Sequence, residues 1–176
     1  MMNIRLLLLC LVSIFSASLA VAEPNPLYEK LSRVKEVAVF IKTPSDSGAS
    51  KLDAERFRAS LEKALAERKS IHFVPATSES DARVVVEADI KGFMFSETDP
   101  VDMLAGVGMA AMDAAKIDHF ASVDVHMTVK EAGSAAWDDT VHASITDETM
   151  TETESRDRIL DRASEVFVRS AFGKNK

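Results

Sequence analysis

From Phe120 to Lys130 every second residue is apolar: Ala121, Val123, Val125, Met127 and Val129 alternate with Ser122, Asp124, His126, Thr128 and Lys130. A period of two sustained over this length is a strand with one dry face and one wet face, because successive side chains leave a pleated backbone on opposite sides. Residues 136–146 repeat the pattern more weakly, with Trp137, Val141, Ala143 and Ile145 on the apolar side. Between them, Glu131-Ala132-Gly133 reads as a three-residue hairpin loop with Gly133 in the left-handed conformation. Such a pair requires an antiparallel sheet with apolar cover on one side only.

The rest of the chain supplies that cover. Residues 36–41 (EVAVFI) are apolar on both sides and predict a strand inside the sheet. Ser50 with Asp53 predicts a capping box, opening a helix to about Lys69 whose core stripe is Ala54, Phe57, Leu61, Ala64 and Leu65. A short strand is expected at 71–74 and a long one at 81–97, where Ala82, Val84, Val86, Ala88 and Ile90 share a face. The phase breaks at Gly92, after which Phe93 and Phe95 are the apolar positions, as a bulge that swaps faces would produce. Thr151 and Glu154 form a second capping box, and the closing helix runs to about Phe172 with Ile159, Ala163, Val166 and Phe167 inward. Two helices cannot cover both faces of such a sheet. The expected fold is therefore α+β, a two-layer sandwich with a mixed sheet of about five strands, two helices on one face and a small-residue helical insert.

The N-terminus reads as a signal peptide over 1–22. Arg5 precedes the apolar run from Leu6 to Phe15, and Ala20-Val21-Ala22 sets small residues where a signal peptidase cuts, so cleavage is expected after Ala22 and the destination is the periplasm. Residues 23–34 are then a linker and lead-in, helical or extended, to a single domain over 35–176. The full chain of 176 residues has 21 Lys and Arg against 28 Asp and Glu, a net charge of -7, which disfavours wrapping a phosphate backbone. Cys10, the one cysteine, leaves with the leader, so the core has to hold without disulfides.

Reactive constellations are sparse. His126 and His142 both fall on wet strand positions, but with a three-residue loop His126 faces Asp138 and His142 faces Ser122. The imidazoles then stand on the order of 13 Å apart, too far to share an ion. The methionines are scattered and read as core filler. Gly106-Val107-Gly108-Met109-Ala110-Ala111 matches a dinucleotide fingerprint without the buried strand that must precede it. No metal, cofactor or catalytic residue is assigned. The least ordinary segment is 101–117, which as a helix keeps Asp102, Asp113 and Lys116 in one narrow stripe and is apolar elsewhere. A helix greasy nearly all round must be buried, in its own domain or in a partner. Met103, Leu104, Val107, Met109 and Met112 are the candidate partner-binding residues; plugging one end of the sandwich and contact with a membrane surface are the competing roles.

The opening strand Val37-Ala38-Val39-Phe40, the helix bearing Phe57, Leu61 and Leu65, then Phe73-Val74, Ser80 to Val86, a small-residue insert, and Val123 to Lys130 with Gly133 and Trp137 form a definite order. That order resembles the small α/β domains of bacterial envelope proteins such as the curli secretion channel lipoprotein and the penicillin-binding-protein activator lipoproteins. The resemblance implies a domain that binds or assembles with other envelope proteins. The leading expectation is a non-enzymatic periplasmic interaction module, docking through 101–117 and an exposed strand edge onto an envelope protein or a second copy. The alternative is a periplasmic carrier or sensor of a small ligand or metal ion.

Overall fold

The alternating run becomes an interior strand of one mixed sheet, next to an edge strand. The computed structural model describes residues 25–98 and 118–173. In chain order these form α1 (Pro26–Leu31), β1 (Val37–Ile41), β2 (Ser45–Asp46), α2 (Ala54–Ala66), β3 (Phe73–Pro75), a 3₁₀ turn (Glu79–Asp81), β4 (Val84–Thr98), β5 (Asp118–Glu131), β6 (Ser134–Asp147) and α3 (Glu152–Phe172). The strands lie in the order β3-β1-β4-β5-β6, with two-residue β2 continuing the line of β1 beside β4. β1 runs parallel to β3 and β4, whereas β4, β5 and β6 are antiparallel.

The helices α2 and α3 lie on the same face, as expected. Phe57, Leu61 and Leu65 of α2 and Ile159, Leu160, Ala163 and Phe167 of α3 share one core with Val37, Val39, Val84, Val86, Val123, Val125, Met127 and Val129. Each large side chain sealed there contributes roughly 1.5–3 kcal/mol of transfer free energy. Aromatic rings step across that layer: Trp137 on Phe167 at 5.6 Å, Phe167 on Phe172 at 5.6 Å, and Phe172 on Phe73 at 5.0 Å, joining edge strand to edge strand. The lead-in is the helix α1, capped by the Asn25 side chain and pinned by buried Leu27 and Leu31. A buried hydroxyl clasps the two main helices: Ser60 Oγ donates to Asp161 at 2.6 Å, and Arg56 reaches both residues.

Two local expectations change. The cap of α2 is Asp53, whose carboxylate accepts the Arg56 N–H at 2.9 Å, and the helix ends at Ala66. Ser50 is held elsewhere, its N–H and hydroxyl both donating to Asp46 at 2.9 Å. The β5–β6 loop has two residues, not three, and both Ala132 (φ 50) and Gly133 (φ 82) are left-handed, the requirement of the tight hairpin turn that matches strand twist. By itself that shorter loop would turn every β6 side chain to the wrong face. A bulge at Ala136 restores the phase: Lys130 pairs with Ala135, but Val129 pairs with Trp137. Trp137, Val141 and Ala143 therefore still face the helices.

Candidate docking surface

The longest antiparallel pair also positions the large apolar side chain that is exposed among the described residues. β4 and β5 stay paired from Val84–Glu131 to Thr98–Asp118, well past the last contact of β4 with β2 at Ile90. Their register shifts between Ile90 and Gly92, and the inward set changes from Val86, Ala88 and Ile90 to Phe93 and Phe95, paired with Val123 and Ala121. The face swap expected from the sequence is thus present. The root of this arm is tied down by Arg156 of α3, whose guanidinium carbon lies 4.7 Å from the centre of the Phe93 ring. The same group donates to the Ser50 carbonyl at 3.0 Å and pairs with Glu152 at 2.7 Å. Phe95 stands 5.9 Å from the His119 ring. Met94 points to the other side and is 53% exposed, the large hydrophobic side chain left open to water among the described residues.

Thr98 and Asp118 form the last rung, so the two ends of the intervening segment leave the arm side by side. The five residues singled out for partner binding, Met103, Leu104, Val107, Met109 and Met112, lie outside the described residues. The same holds for the leader over 1–22 and its cleavage point.

The helix-free face of the sheet is polar and internally paired. Glu87 sits between Lys42 and Lys130, each at 2.7 Å, and Lys42 also reaches Glu79 at 2.9 Å. Hydrogen bonds from Lys130 and then Lys42 hold the Glu87 carboxyl below its ordinary range, while Glu87 and Glu79 raise the Lys42 ammonium. Asp89 is held far down by Lys91, with Ser45 and Ser47 assisting. This row lies over Val85, buried although no helix covers it. Lysine stems shield apolar surface while their charged ends stay in water.

The changed hairpin register rearranges the histidines. His142 lies opposite Asp124, with Nδ1 2.8 Å from the carboxylate, and His126 lies opposite Thr140, with Nε2 3.4 Å from Asp138. The expected pairing of His142 with Ser122 is therefore corrected. Because the true register is two residues further on, the two imidazoles are diagonal neighbours on adjacent strands, with a spacing of roughly 7–8 Å instead of 13 Å. Each has its own carboxylate, and among the described residues no three His, Cys, Asp or Glu side chains converge on a point where an ion could sit. Among the same residues, no helix is long and apolar enough to cross a membrane.

One further charged group escapes a reading of the sequence. Glu131 ends β5 with its side chain only 7% exposed, yet it accepts from Lys30 Nζ at 2.6 Å and Arg83 Nη2 at 3.1 Å. Burial pushes its carboxyl up, but the two cations outweigh that and leave it lowered. Its partners stand 101 and 48 residues away in the chain, so no local pattern announces them.

No protein-family model matches this chain, and no curated protein matches it. Several solved structures are similar to this chain at TM-scores below 0.5. The hypothetical protein CT253 from Chlamydia trachomatis is 13% identical, with a TM-score of 0.47 over 77% of this chain and 96% of that one. Protein XCC0632 from Xanthomonas campestris is 9% identical, with a TM-score of 0.48 over 78% and 82%. A lipoprotein from Caulobacter crescentus is 14% identical, with a TM-score of 0.41 over 82% and 88%.

Proposed function

We propose that this chain is an exported protein of the bacterial cell envelope that works by docking onto another envelope protein or a second copy of itself, without catalysing a reaction. The observation that carries the reading is the β4–β5 arm, which runs beyond the last β2 contact and turns Met94 to water. A large apolar side chain left exposed on an ordered strand is surface that a partner can bury. Export rests on the leader, and the assembly role agrees with what the resemblance to envelope domains implies.

The test uses the secreted protein. N-terminal sequencing of periplasmic material is expected to begin at Glu23. Light scattering and crosslinking in envelope extract should show self-association or a discrete crosslinked species. Met94→Lys should weaken it about tenfold or more, the scale of a hot-spot anchor. A monomer at every concentration, with no crosslinked species, would overturn the reading.

A further inference from the structure

The two outer edges of the sheet differ in how they meet water. β6 is guarded, because the bulge at Ala136 breaks its line and Asp139, on the helix side of the sheet opposite Met127, stays exposed at that edge. Bulges and inward-pointing charges are the usual means of discouraging edge pairing. The opposite edge has no bulge and no inward charge, and is blunted only by the shortness of β3 and by Pro75 at its end. There β3 stops after three residues, and β1 continues past it.

Backbone direction along β1 follows from its hydrogen bonds. The Ala38 carbonyl accepts from Arg83 N–H at 2.9 Å and Lys42 N–H donates to the Val86 carbonyl at 3.0 Å, so even-numbered residues serve β4. Val37 N–H donates to the His72 carbonyl and the Val39 carbonyl accepts from Ala76 N–H, both at 2.8 Å, so odd-numbered residues serve β3. Ile41 is the next odd residue. Its N–H and C=O point to the β3 side one step beyond the last rung, Val39–Pro75, and among the described residues no backbone hydrogen bond meets them there. Ile41 is itself buried, and polar backbone groups in such a place call for a partner. Beside it opens a notch of about 130 Å³ between sheet edge and helix, lined by Val39, Ile41, Leu65, Ala66, Phe73 and Pro75. Arg58 and Glu62 stand at its rim, paired with each other at 3.1 Å.

We infer that this notch is a strand-addition site that takes a short extended segment of a partner protein carrying one apolar side chain. The open N–H and C=O of Ile41 call for another backbone, which a lipid chain does not supply. The residue placed opposite Ile41 turns its side chain to the same face, into the notch, whose size suits one leucine or phenylalanine. The rim charges cancel, so the anchor is uncharged. The site is roughly 23 Å along β4 from the arm, and it stands whether or not the arm docks anything.

The experiment titrates the isotope-labelled secreted chain with a capped pentapeptide of alternating threonine and valine around a central leucine, up to about 1 mM, where weak millimolar binding is still visible. Expected are amide shifts at Ile41 and Ala76 and slower hydrogen exchange of the Ile41 N–H. Ala66→Trp, which fills the notch from an exposed helix position, should remove these changes with an unchanged melting midpoint; Ala66→Glu serves the same purpose if the larger side chain disturbs folding. The fully N-methylated peptide should bind at least tenfold more weakly. Absence of shifts at the highest concentration, or indifference to both Ala66 variants, overturns the inference. Equal binding of the N-methylated peptide or of octanoate overturns it too, since the notch would then be a plain apolar cavity.

Discussion

Two glycines beside the end of β2 carry very different constraints. A Cβ on Gly48 would lie 1.8 Å from the Lys91 carbonyl oxygen, whereas one on Gly92 would meet nothing within 4 Å. Gly48 N–H also donates to the Ile90 carbonyl at 3.0 Å, so that close approach fixes the loop against β4. Gly48→Ala should cost about 1–3 kcal/mol through forced backbone movement, and Gly92→Ala should be neutral or stabilising by a few tenths to about 1 kcal/mol. Urea titrations of the two variants check this, and equal midpoints would contradict it. Glu131 offers a second test at this scale. Glu131→Gln should lose about 1–2 kcal/mol at pH 7, below the cost of breaking a fully sealed pair because Lys30 and Arg83 remain hydrated. The folded carboxyl lies below the reference value of 4.5, so its stabilisation is complete above that pH and fades as the pH falls through the folded value. The gap between wild type and variant should therefore close in acid; a gap that widened there would reverse the sign.

Among the elements, the β5–β6 hairpin shows how two irregularities preserve one pattern. The alternation predicts a three-residue loop, whereas the structure has a two-residue loop and a bulge, and both solutions place Trp137, Val141 and Ala143 on the core side. The hydrophobic alternation determines parity alone, because shifts by two residues leave every side chain on its face. Deleting Ala136 excises the extra residue, so Trp137 follows Ala135 directly, still opposite Val129, and Val141 and Ala143 keep their faces in a regular ladder. The deletion should therefore keep the cooperative unfolding transition, and Ala136→Ser at the same exposed position should be nearly silent. Near-ultraviolet circular dichroism of Trp137, the single tryptophan, reports both outcomes. The helix ends tell a related story. Thr151 and Glu154 make both bonds of a capping box, as their spacing announced, but Ser50 was drawn away by Asp46 and left the cap of α2 to Asp53. Thr151→Ala should destabilise by about 1 kcal/mol, measured by thermal unfolding, and a change below a few tenths would count against the cap.

For the molecule as a whole, the asymmetry of the sheet organises everything else. One face is sealed by α2 and α3, the other is covered by paired charges such as Glu87 between Lys42 and Lys130, and neither exposes a broad apolar patch among the described residues. Places for a partner are consequently pushed to the margins, to Met94 on the arm and to the notch where β3 stops short. Substitutions at these two places should not affect each other, since sites this far apart with no shared contact are additive. A double variant of Met94→Lys and Ala66→Trp should unfold at the midpoint given by the sum of the single changes, and coupling between them would mean that the two margins share a mechanical link.

Periodicity and local chemistry were enough to specify the five main strands, the two main helices, the face swap at Gly92 and the one-sided layering, because each depends on side chains a few residues apart, whereas two-residue β2 lies in a stretch that reads as loop. Tertiary structure alone decided the remainder. The register that sets His142 against Asp124 hangs on a bulge that costs a local pattern nothing. The Glu131 cluster joins three distant segments, and the open backbone of Ile41 exists only because β3 ends where it does. These are relations between surfaces brought together from far along the chain, and alternation within any one segment is blind to what its neighbour will place opposite.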